Sequence, residues 1–325
     1  MFSNLLVPLD GSKLAESVLP VVKRLAERLG CEVKLLHVIE KRPPRSIHGD
    51  THLQDAAGAQ RYLALVVEKL DGWGLNVSSH VHEVPQGDVP RCIAEHAEEL
   101  EQDLIVLCTH GSGGFKRFVF GTNAEQVLTR GRTPVVLIKT DEHGRAPDFG
   151  PRSIIAFMDC TPHSDPVLTA CSELAIIFQA KLHLLHVVPT AGSVTPDQVP
   201  GGRLVPSTTR LLLDLETEQT TGRLQEQLQL LLARNVEASG SVERGEAEPA
   251  VVAAAAARHA DMVAMATRGL AGIGAFWAND LVCGICASYD GALLLFPAET
   301  ILPQRRDTAR SRREHGEKLR QDLQD

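Results

Sequence analysis

The sequence has no excess of positive charge, no long apolar run and no basic leader. Its 325 residues include 33 Lys and Arg against 41 Asp and Glu, and the net charge of −8 provides no general attraction to nucleic acid or anionic membranes. No apolar run approaches the roughly 20 residues that span a bilayer. The start, MFSNLLVPLDGS, lacks the basic residues and the long apolar core of a secretory signal. These absences predict a cytoplasmic protein without nucleic-acid or membrane partners.

The cysteines do not form a recognisable disulfide framework. There are seven, an odd number scattered through a long chain, which is typical of reduced thiols. Cys283 and Cys286 form a CxxC pair without a second pair to complete a zinc site, so we interpret them as packing residues within a helix.

Metal-binding and catalytic patterns are also missing from the sequence. The pairs His80-x-His82 and His48-x3-His52 have no convincing third ligand nearby in sequence, so no metal site is predicted. There is no Walker A lysine motif, no nucleophile elbow and no kinase motif set. The sequence therefore predicts no catalytic residues.

A glycine-rich segment lies between an apolar strand and a helix start. The strand Leu104–Leu107 is followed by a turn at Gly111–Gly114, and Gly121-Thr122 then begins a helix. Glycines let the backbone approach a bulky anion, and the N–H groups of a helix start offer it donors and a favourable dipole. Such a segment can hold phosphates, although an ordinary strand-to-helix turn has the same composition.

The spacing of these features resembles that of a known family. The opening LLVPLDGS supplies a strand that ends in Asp10, and nine residues separate Gly111 from Gly121-Thr122. This arrangement is similar to the universal stress protein family, whose nucleotide-binding members carry Gly-x2-Gly-x9-Gly-(Ser/Thr) after the fourth strand. The resemblance covers nearly the whole chain, twice. One departure is Cys108, which occupies the position of the family's first glycine.

The chain contains an internal repeat, which predicts two copies of one fold. NLLVPLDGS at Asn4 is echoed by SIIAFMDCT at Ser153, and later matches continue through both phosphate segments. We predict a first domain over residues 1–143, a polar linker, a second domain over residues 151–298 and a charged tail over residues 299–325. The equivalent pairs include Asp10 and Asp159, His37 and His186, Gly87 and Gly245, and Gly111 and Gly269.

Short apolar runs alternate with helical patterns in both copies, which predicts an α/β fold. Together with the resemblance, this implies two Rossmann-like, adenine nucleotide alpha hydrolase-like domains, each with a five-stranded parallel sheet and helices on both faces. The predicted strands are Leu5–Leu9, Val33–Val38, Val77–Val84, Leu104–Leu107 and Val135–Ile138, then Ile154–Met158, Leu182–Val187, Val236–Val242, Met262–Met265 and Ala292–Phe296.

Helices are predicted from apolar stripes and capping residues. In the first copy they cover Ala15–Leu29, ended by Gly30, then Gln60–Leu70, and Val89–Leu100 after Asp88 as N-cap. In the second copy, Thr190–Thr209 is rich in Pro, Gly and Thr and predicts a loop before a long leucine-rich helix. We expect the leucine stripe of that helix to cover the sheet, with a partner-binding surface as the alternative.

The resemblance assigns roles to residues that meet at the carboxyl ends of the strands. Asp10 would contact the nucleoside, although Asp10-Gly11-Ser12 is equally a helix-capping sequence. The backbone of Val38 and Ile39 would hold the adenine edge. Phosphates would bind to Gly111, Gly121 and Thr122. Residues with weaker claims on the same site are Pro8, Leu9, Cys108, His110, Gly114 and Asn123.

The second copy departs from this pattern at its helix start. Asn279 and Asp280 replace Gly121 and Thr122, and a carboxylate there would repel a triphosphate. We therefore expect ATP to bind to the first domain, and the second domain to bind nothing or a less anionic ligand.

The expected function is that of a stress-response regulatory or protective protein that binds ATP, AMP or ADP, with Mg²⁺ bridging phosphates, and that signals to an unknown protein partner. A nucleotide-free structural or protein-interaction module is the leading alternative, since a Cβ at Cys108 could narrow the crevice. A slow ATPase is the third hypothesis.

Family members commonly dimerise through their last strands. Val135–Ile138 and Ala292–Phe296 could form this pairing within one chain, with a homodimer as a further possibility.

Overall fold

The sequence forms alternating strands and helices in a computed structural model that describes residues 2–47, 49–109, 122–141, 143–158, 165–190, 206–267, 278–297 and 300. The first half contains β1 (Asn4–Pro8), α1 (Lys13–Glu16), α2 (Leu19–Leu29), β2 (Glu32–Glu40), β3 (Ser46–Ile47), β4 (Asp50–Thr51), α3 (Ala56–Asp71), β5 (Val77–Gln86), α4 (Val89–Glu99), β6 (Leu104–Thr109), α5 (Thr122–Arg130) and β7 (Val135–Lys139). The second half contains β8 (Ser153–Met158), α6 (Asp165–Phe178), β9 (Lys181–Val188), α7 (Pro206–Ala233), β10 (Ala238–Arg244), α8 (Ala247–Ala257), β11 (Met262–Ala266), α9 (Ala278–Ser288) and β12 (Ala292–Phe296).

Ten of these strands form one continuous sheet in the order β10-β9-β8-β11-β12-β7-β6-β1-β2-β5. Within each half the five strands of this sheet are parallel, as the alternation of strands and helices predicts. The halves meet where β7 pairs with β12 in antiparallel register, with Val136 opposite Leu294. The predicted fold class is confirmed, and the last strands of the two copies pair within the chain.

Helices cover both faces of this sheet because successive apolar side chains of each strand point to opposite faces, and both sets must be buried. Leu5 and Val7 point to a core shared with α2, α3, α6 and α7, whereas Leu6 points to a core shared with α4, α5, α8 and α9. All three side chains are fully buried. Each apolar layer includes residues from both halves, so the repeat packs as two continuous layers.

The helix boundaries follow local capping and proline chemistry. The predicted single helix Ala15–Leu29 is divided into α1 and α2, because Pro20 has no N–H to continue the hydrogen-bond ladder. Gly30 ends α2 as predicted, with a φ of +69° and its N–H bonded to the Ala26 carbonyl at 2.8 Å. Asp55 is the N-cap of α3, and its side chain accepts the Gly58 N–H. The helix therefore begins at Ala56, four residues before the predicted start at Gln60. Asp88 caps α4 as predicted.

The leucine-rich helix of the second half is α7, and some of its leucine side chains cover the sheet. Leu224 and Leu231 belong to the core on this face, and Leu213 is also buried. Other leucines of the helix are exposed: Leu211, Leu212, Leu215, Leu230 and Leu232. The predicted loop Thr190–Thr209 is too long at its end, because α7 already begins at Pro206. Residues 191–205 lie outside the described residues, as does the predicted charged tail apart from Thr300. Among the helices that are described, none has both the length and the apolar composition needed to cross a bilayer.

Candidate functional site

A cavity of about 410 Å³ opens at the carboxyl ends of β1, β2 and β6. The strand order reverses at β1, which pairs with β2 on one side and β6 on the other, and ligands bind at such switch points in open α/β sheets. The walls are mainly apolar. They include Leu14, Val18, Leu36, Ile93, Leu107 and Val127.

Asp10 lines this crevice immediately after β1. Its Oδ1 accepts the Ser12 N–H at 2.9 Å, and the Ser12 hydroxyl in turn accepts the Ala15 N–H at 3.1 Å. The N-cap of α1 is therefore Ser12, and Asp10 supports the turn that leads to it. Gly11 has a φ of +87°, and a Cβ there would lie 2.9 Å from Leu53 Cγ, so this turn requires glycine.

The side chain of Val38 lines the crevice, whereas Ile39 is buried and contributes nothing to the wall. The pairing of β2 with β5 shifts register between Val38 and Glu40. A shift of this kind interrupts the ladder of main-chain hydrogen bonds. It falls at the backbone positions that the resemblance assigns to the adenine edge.

Cys108 contributes to the wall without closing the crevice. Its thiol donates to the Leu14 carbonyl at 3.2 Å, so the side chain is held against α1. Burial raises the pKa of Cys108 to about 12, with the negative charge of Asp10 adding to the shift. The side chain is thus a neutral thiol at ordinary pH.

His37 is one of the site residues that sequence reasoning missed. Its Nδ1 lies 2.7 Å from the Leu9 carbonyl, which can only accept, so the proton is on Nδ1 and Nε2 carries a lone pair. Nε2 is buried and has no hydrogen-bond partner among the described residues, although the ring lines the crevice. Burial lowers the pKa of His37, which favours the neutral ring. The sequence did contain a signal for a role of His37, because a histidine recurs at the equivalent position, His186; that pair was used only to define the repeat.

The small hairpin of β3 and β4 forms one side of the crevice, which the sequence did not predict. Ile47 and His52 line the cavity from this hairpin and the residues after it. His52 Nδ1 lies 2.7 Å from the Leu53 carbonyl. His52 Nε2 lies 3.3 Å from Glu40 Oε1, without the alignment of a hydrogen bond.

Of the remaining predicted site residues, Pro8, Leu9 and Asn123 line the crevice. Thr122 is the first residue of α5. The predicted positions His110, Gly111, Gly114 and Gly121 lie outside the described residues, as does Asp159 of the second copy.

The cysteine pair of the second half lies within α9, as predicted from the repeat. Cys286 is buried, and burial raises its pKa to about 12. A thiol of this kind has little thiolate for redox chemistry or metal binding. The structure therefore supports the interpretation of these residues as packing.

The histidine pairs require a correction. His80-x-His82 does have a third partner, because His96 of α4 lies against both rings. His96 is fourteen residues beyond His82 in sequence and on a different element, so neither spacing nor periodicity indicated it. His48 of the other predicted pair lies outside the described residues.

Comparison with known proteins agrees with this geometry. The model of the universal stress protein family matches residues 1–139 and 151–280. Universal stress protein MJ0531 of Methanocaldococcus jannaschii is 26% identical over 146 residues, which cover 43% of this chain and 83% of that protein.

Two crystal structures resemble the whole chain in fold. A universal stress protein from Archaeoglobus fulgidus has a TM-score of 0.63 at 17% identity and covers 90% of this chain and 95% of its own. A functionally unknown protein from Pseudomonas aeruginosa has a TM-score of 0.62 at 15% identity, with 92% and 94% covered. Since the family model matches most of the sequence in two successive segments, the chain is a tandem member of the universal stress protein family.

Proposed function

We propose that the crevice of the first half binds ATP or another adenine nucleotide, and that the chain acts in the cytoplasm as a regulatory or protective protein under stress. The observation that carries this proposal is the mainly apolar cavity of about 410 Å³ at the switch point, whose polar lining residues are Asp10, Ser12, His37, Glu40, His52, Thr109 and Asn123. This size and composition are typical of small-molecule sites.

The lining supplies a partner for each part of a nucleotide. The apolar walls suit the faces of a base, and the lone pair of His37 Nε2 can accept a hydrogen bond from an exocyclic amino group or a ribose hydroxyl. Asp10 can accept from ribose hydroxyls. Phosphates are assigned to the backbone of Gly111 and Gly121 and to Thr122, where the start of α5 adds its dipole and Mg²⁺ could bridge the phosphate oxygens.

Two observations support a single nucleotide site per chain. By the repeat, Asp280 stands in α9 where the first half has Thr122, and a carboxylate at a helix start disfavours an anionic ligand. Larger buried side chains also replace several lining residues of the first crevice: Phe157 is equivalent to Pro8, Val282 to Ala124 and Ile285 to Val127.

The test is a calorimetric titration of ATP, AMP and adenosine into the full chain and into a variant with Gly121→Asn and Thr122→Asp. We expect one ATP site per wild-type chain. The variant should lose at least about tenfold in ATP affinity, the effect of about 1.4 kcal/mol, and keep its adenosine affinity within about threefold. The matched control changes Asn279→Gly and Asp280→Thr, which leaves the first crevice intact. Equal ATP binding by wild type and variant, or two equal sites in the wild type, would refute the proposal.

The alternatives have separate readouts. Protein purified without bound nucleotide that also fails to bind ATP would favour the interaction module, which rests on Cys108 replacing a glycine. Phosphate release from Mg-ATP that is abolished in the first-half variant would favour the slow ATPase.

The proposed domain boundaries, residues 1–143 and 151–298, are supported by the antiparallel pairing of β7 with β12, which joins the two halves as two chains of a dimer could be joined. Further association into a homodimer, and the protein partner, remain proposals.

A further inference from the structure

Three histidines meet between the edge strand β5 and helix α4. His80 and His82 are two residues apart on β5, so their side chains leave the same face of the strand. His96 is buried in the last turn of α4, and its ring lies 5.0 Å from that of His80 and 4.8 Å from that of His82, between ring centroids. One ring nitrogen from each of the three lies within 4.8 Å of the others.

The distances are close to those of a metal centre. Two imidazole nitrogens bound to one tetrahedral Zn²⁺, each at about 2.0–2.1 Å, lie about 3.3–3.4 Å apart. His82 Nδ1 and His96 Nε2 are already 3.2 Å apart. Only the half-buried His80 needs to turn inward to bring its nitrogen into the same sphere.

The outer ring nitrogens lie near groups of the kind that support metal-binding histidines. His96 Nδ1, on the side away from the cluster, lies 3.9 Å from Cys92 Sγ and 3.7 Å from Glu99 Oε2, the second distance being longer than a hydrogen bond. His82 Nε2 lies 2.8 Å from the side-chain amide of Gln86, whose oxygen can replace the nitrogen because the two ends of an amide are nearly the same size. A carboxylate or carbonyl oxygen that accepts the outer N–H fixes the tautomer and strengthens the inner nitrogen as a ligand. Gln86 is already within this distance of His82, whereas the exposed Glu99 side chain must move closer to His96.

We propose that His80, His82 and His96 form a binding site for a divalent late first-row transition metal such as Zn²⁺, with water in the remaining position. Imidazole nitrogens are preferred ligands of Zn²⁺, Ni²⁺ and Cu²⁺, whereas Mg²⁺ and Ca²⁺ select oxygen. The bound ion joins the outer strand of the sheet to α4, and α4 lines the nucleotide crevice with Val89 and Ile93. The proposal is independent of nucleotide binding.

The second half provides an internal comparison. His80 pairs in the sheet with Leu36, and Leu185, the equivalent of Leu36, pairs with Ser241. By the same register Glu243 takes the place of His82, and Ala254 is equivalent to His96 by the repeat. These residues cannot form a three-histidine site, so the stoichiometry should be one ion per chain.

The test uses the full chain, stripped with EDTA and titrated with ZnCl₂ against a chromophoric chelator. We expect one site per chain with a Kd below about 10 μM. His96→Gln should weaken binding at least about 100-fold, and Glu99→Gln by about tenfold through its outer contact. His143→Gln, at an exposed histidine outside the cluster, is the matched control and should leave the affinity unchanged. Co²⁺ in place of Zn²⁺ should give the visible absorption of a four-coordinate site, which a packing role would not produce.

Because His96 is buried, the His96→Gln variant could fold poorly. His80→Gln, at a half-buried position, is therefore a second test, and it should lower the Zn²⁺ affinity at least about tenfold. Zn²⁺ binding weaker than about 100 μM in the wild type would overturn the proposal. So would binding that persists in both histidine variants, or binding that is removed by His52→Gln in the crevice.

Discussion

Lys139 should be one of the strongest polar anchors between the two halves. It is the last residue of β7, and its side chain is 11% exposed. The ammonium donates to the carbonyls of Cys286 at 3.3 Å and Tyr289 at 3.4 Å, and to the Asp290 carboxylate at 2.6 Å. These carbonyls lie at the end of α9, where a cation also interacts favourably with the helix dipole.

We expect Lys139→Met to lower the free energy of unfolding by about 2 kcal/mol. Hydrogen bonds to a charged group contribute roughly 1.5–3 kcal/mol. The expected loss is in the lower part of this range, because the two carbonyl contacts are long and because removing the buried cation recovers part of its desolvation cost. The contact with Asp290 adds little, because that carboxylate is 92% exposed and well screened. Asp290→Asn should therefore cost no more than about 0.5 kcal/mol.

The assay is urea unfolding followed by circular dichroism. For an m-value near 3 kcal/mol/M, the Lys139→Met midpoint should fall by about 0.7 M. Lys181→Met is the matched control, since Lys181 pairs with Glu237 across two side chains that are each 72% exposed, and such surface pairs contribute about 0–1 kcal/mol. If Lys139→Met and Lys181→Met unfold at the same urea concentration, the ammonium does not hold the halves together.

Two further predictions concern titratable groups with shifted pKa values. The pKa of Cys108, about 12 against an ordinary 9.0, reduces its thiolate fraction at pH 8 about a thousand-fold. Iodoacetamide should therefore modify Cys108 far more slowly than free glutathione in peptide mass mapping; reaction at the rate of a free thiol would show that the thiol is not held against α1. His183 is buried between Ser239 and Ser241, and burial lowers its pKa to about 4. Between pH 6.5 and 4, His183 therefore binds a proton in the unfolded chain but not in the folded chain. Stability should consequently fall as the pH drops from 6.5 to 4, and His183→Gln should flatten this slope in urea titrations at successive pH values; parallel curves for the two proteins would contradict the assignment.

Periodicity and repetition in the sequence predicted most of the fold. Strand runs such as Val135–Ile138 are too short and too rich in β-branched residues for helices, and the repeat predicted the same order of elements in both halves. The main local error, a single helix over Ala15–Leu29, arose because the apolar stripe continues past Pro20, while the backbone cannot.

The candidate site was only partly predictable, because its polar groups come from long-range packing. Asp10 and Cys108 follow strands that the sequence identifies, and both line the crevice. The orphaned Nε2 of His37 depends on a hydrogen bond to a carbonyl 28 residues away. The meeting of His82 with His96 depends on how α4 crosses β5, which no local pattern encodes.

The antiparallel junction of β7 and β12 has a geometric consequence for the two halves. The five strands that each half contributes to the common sheet run against the five of the other half, so their carboxyl ends lie at opposite edges of that sheet. A ligand at the first crevice and a molecule at the corresponding edge of the second half would therefore not obstruct each other. Among the described residues, the shared strands and the two helix layers that cover them connect these two edges.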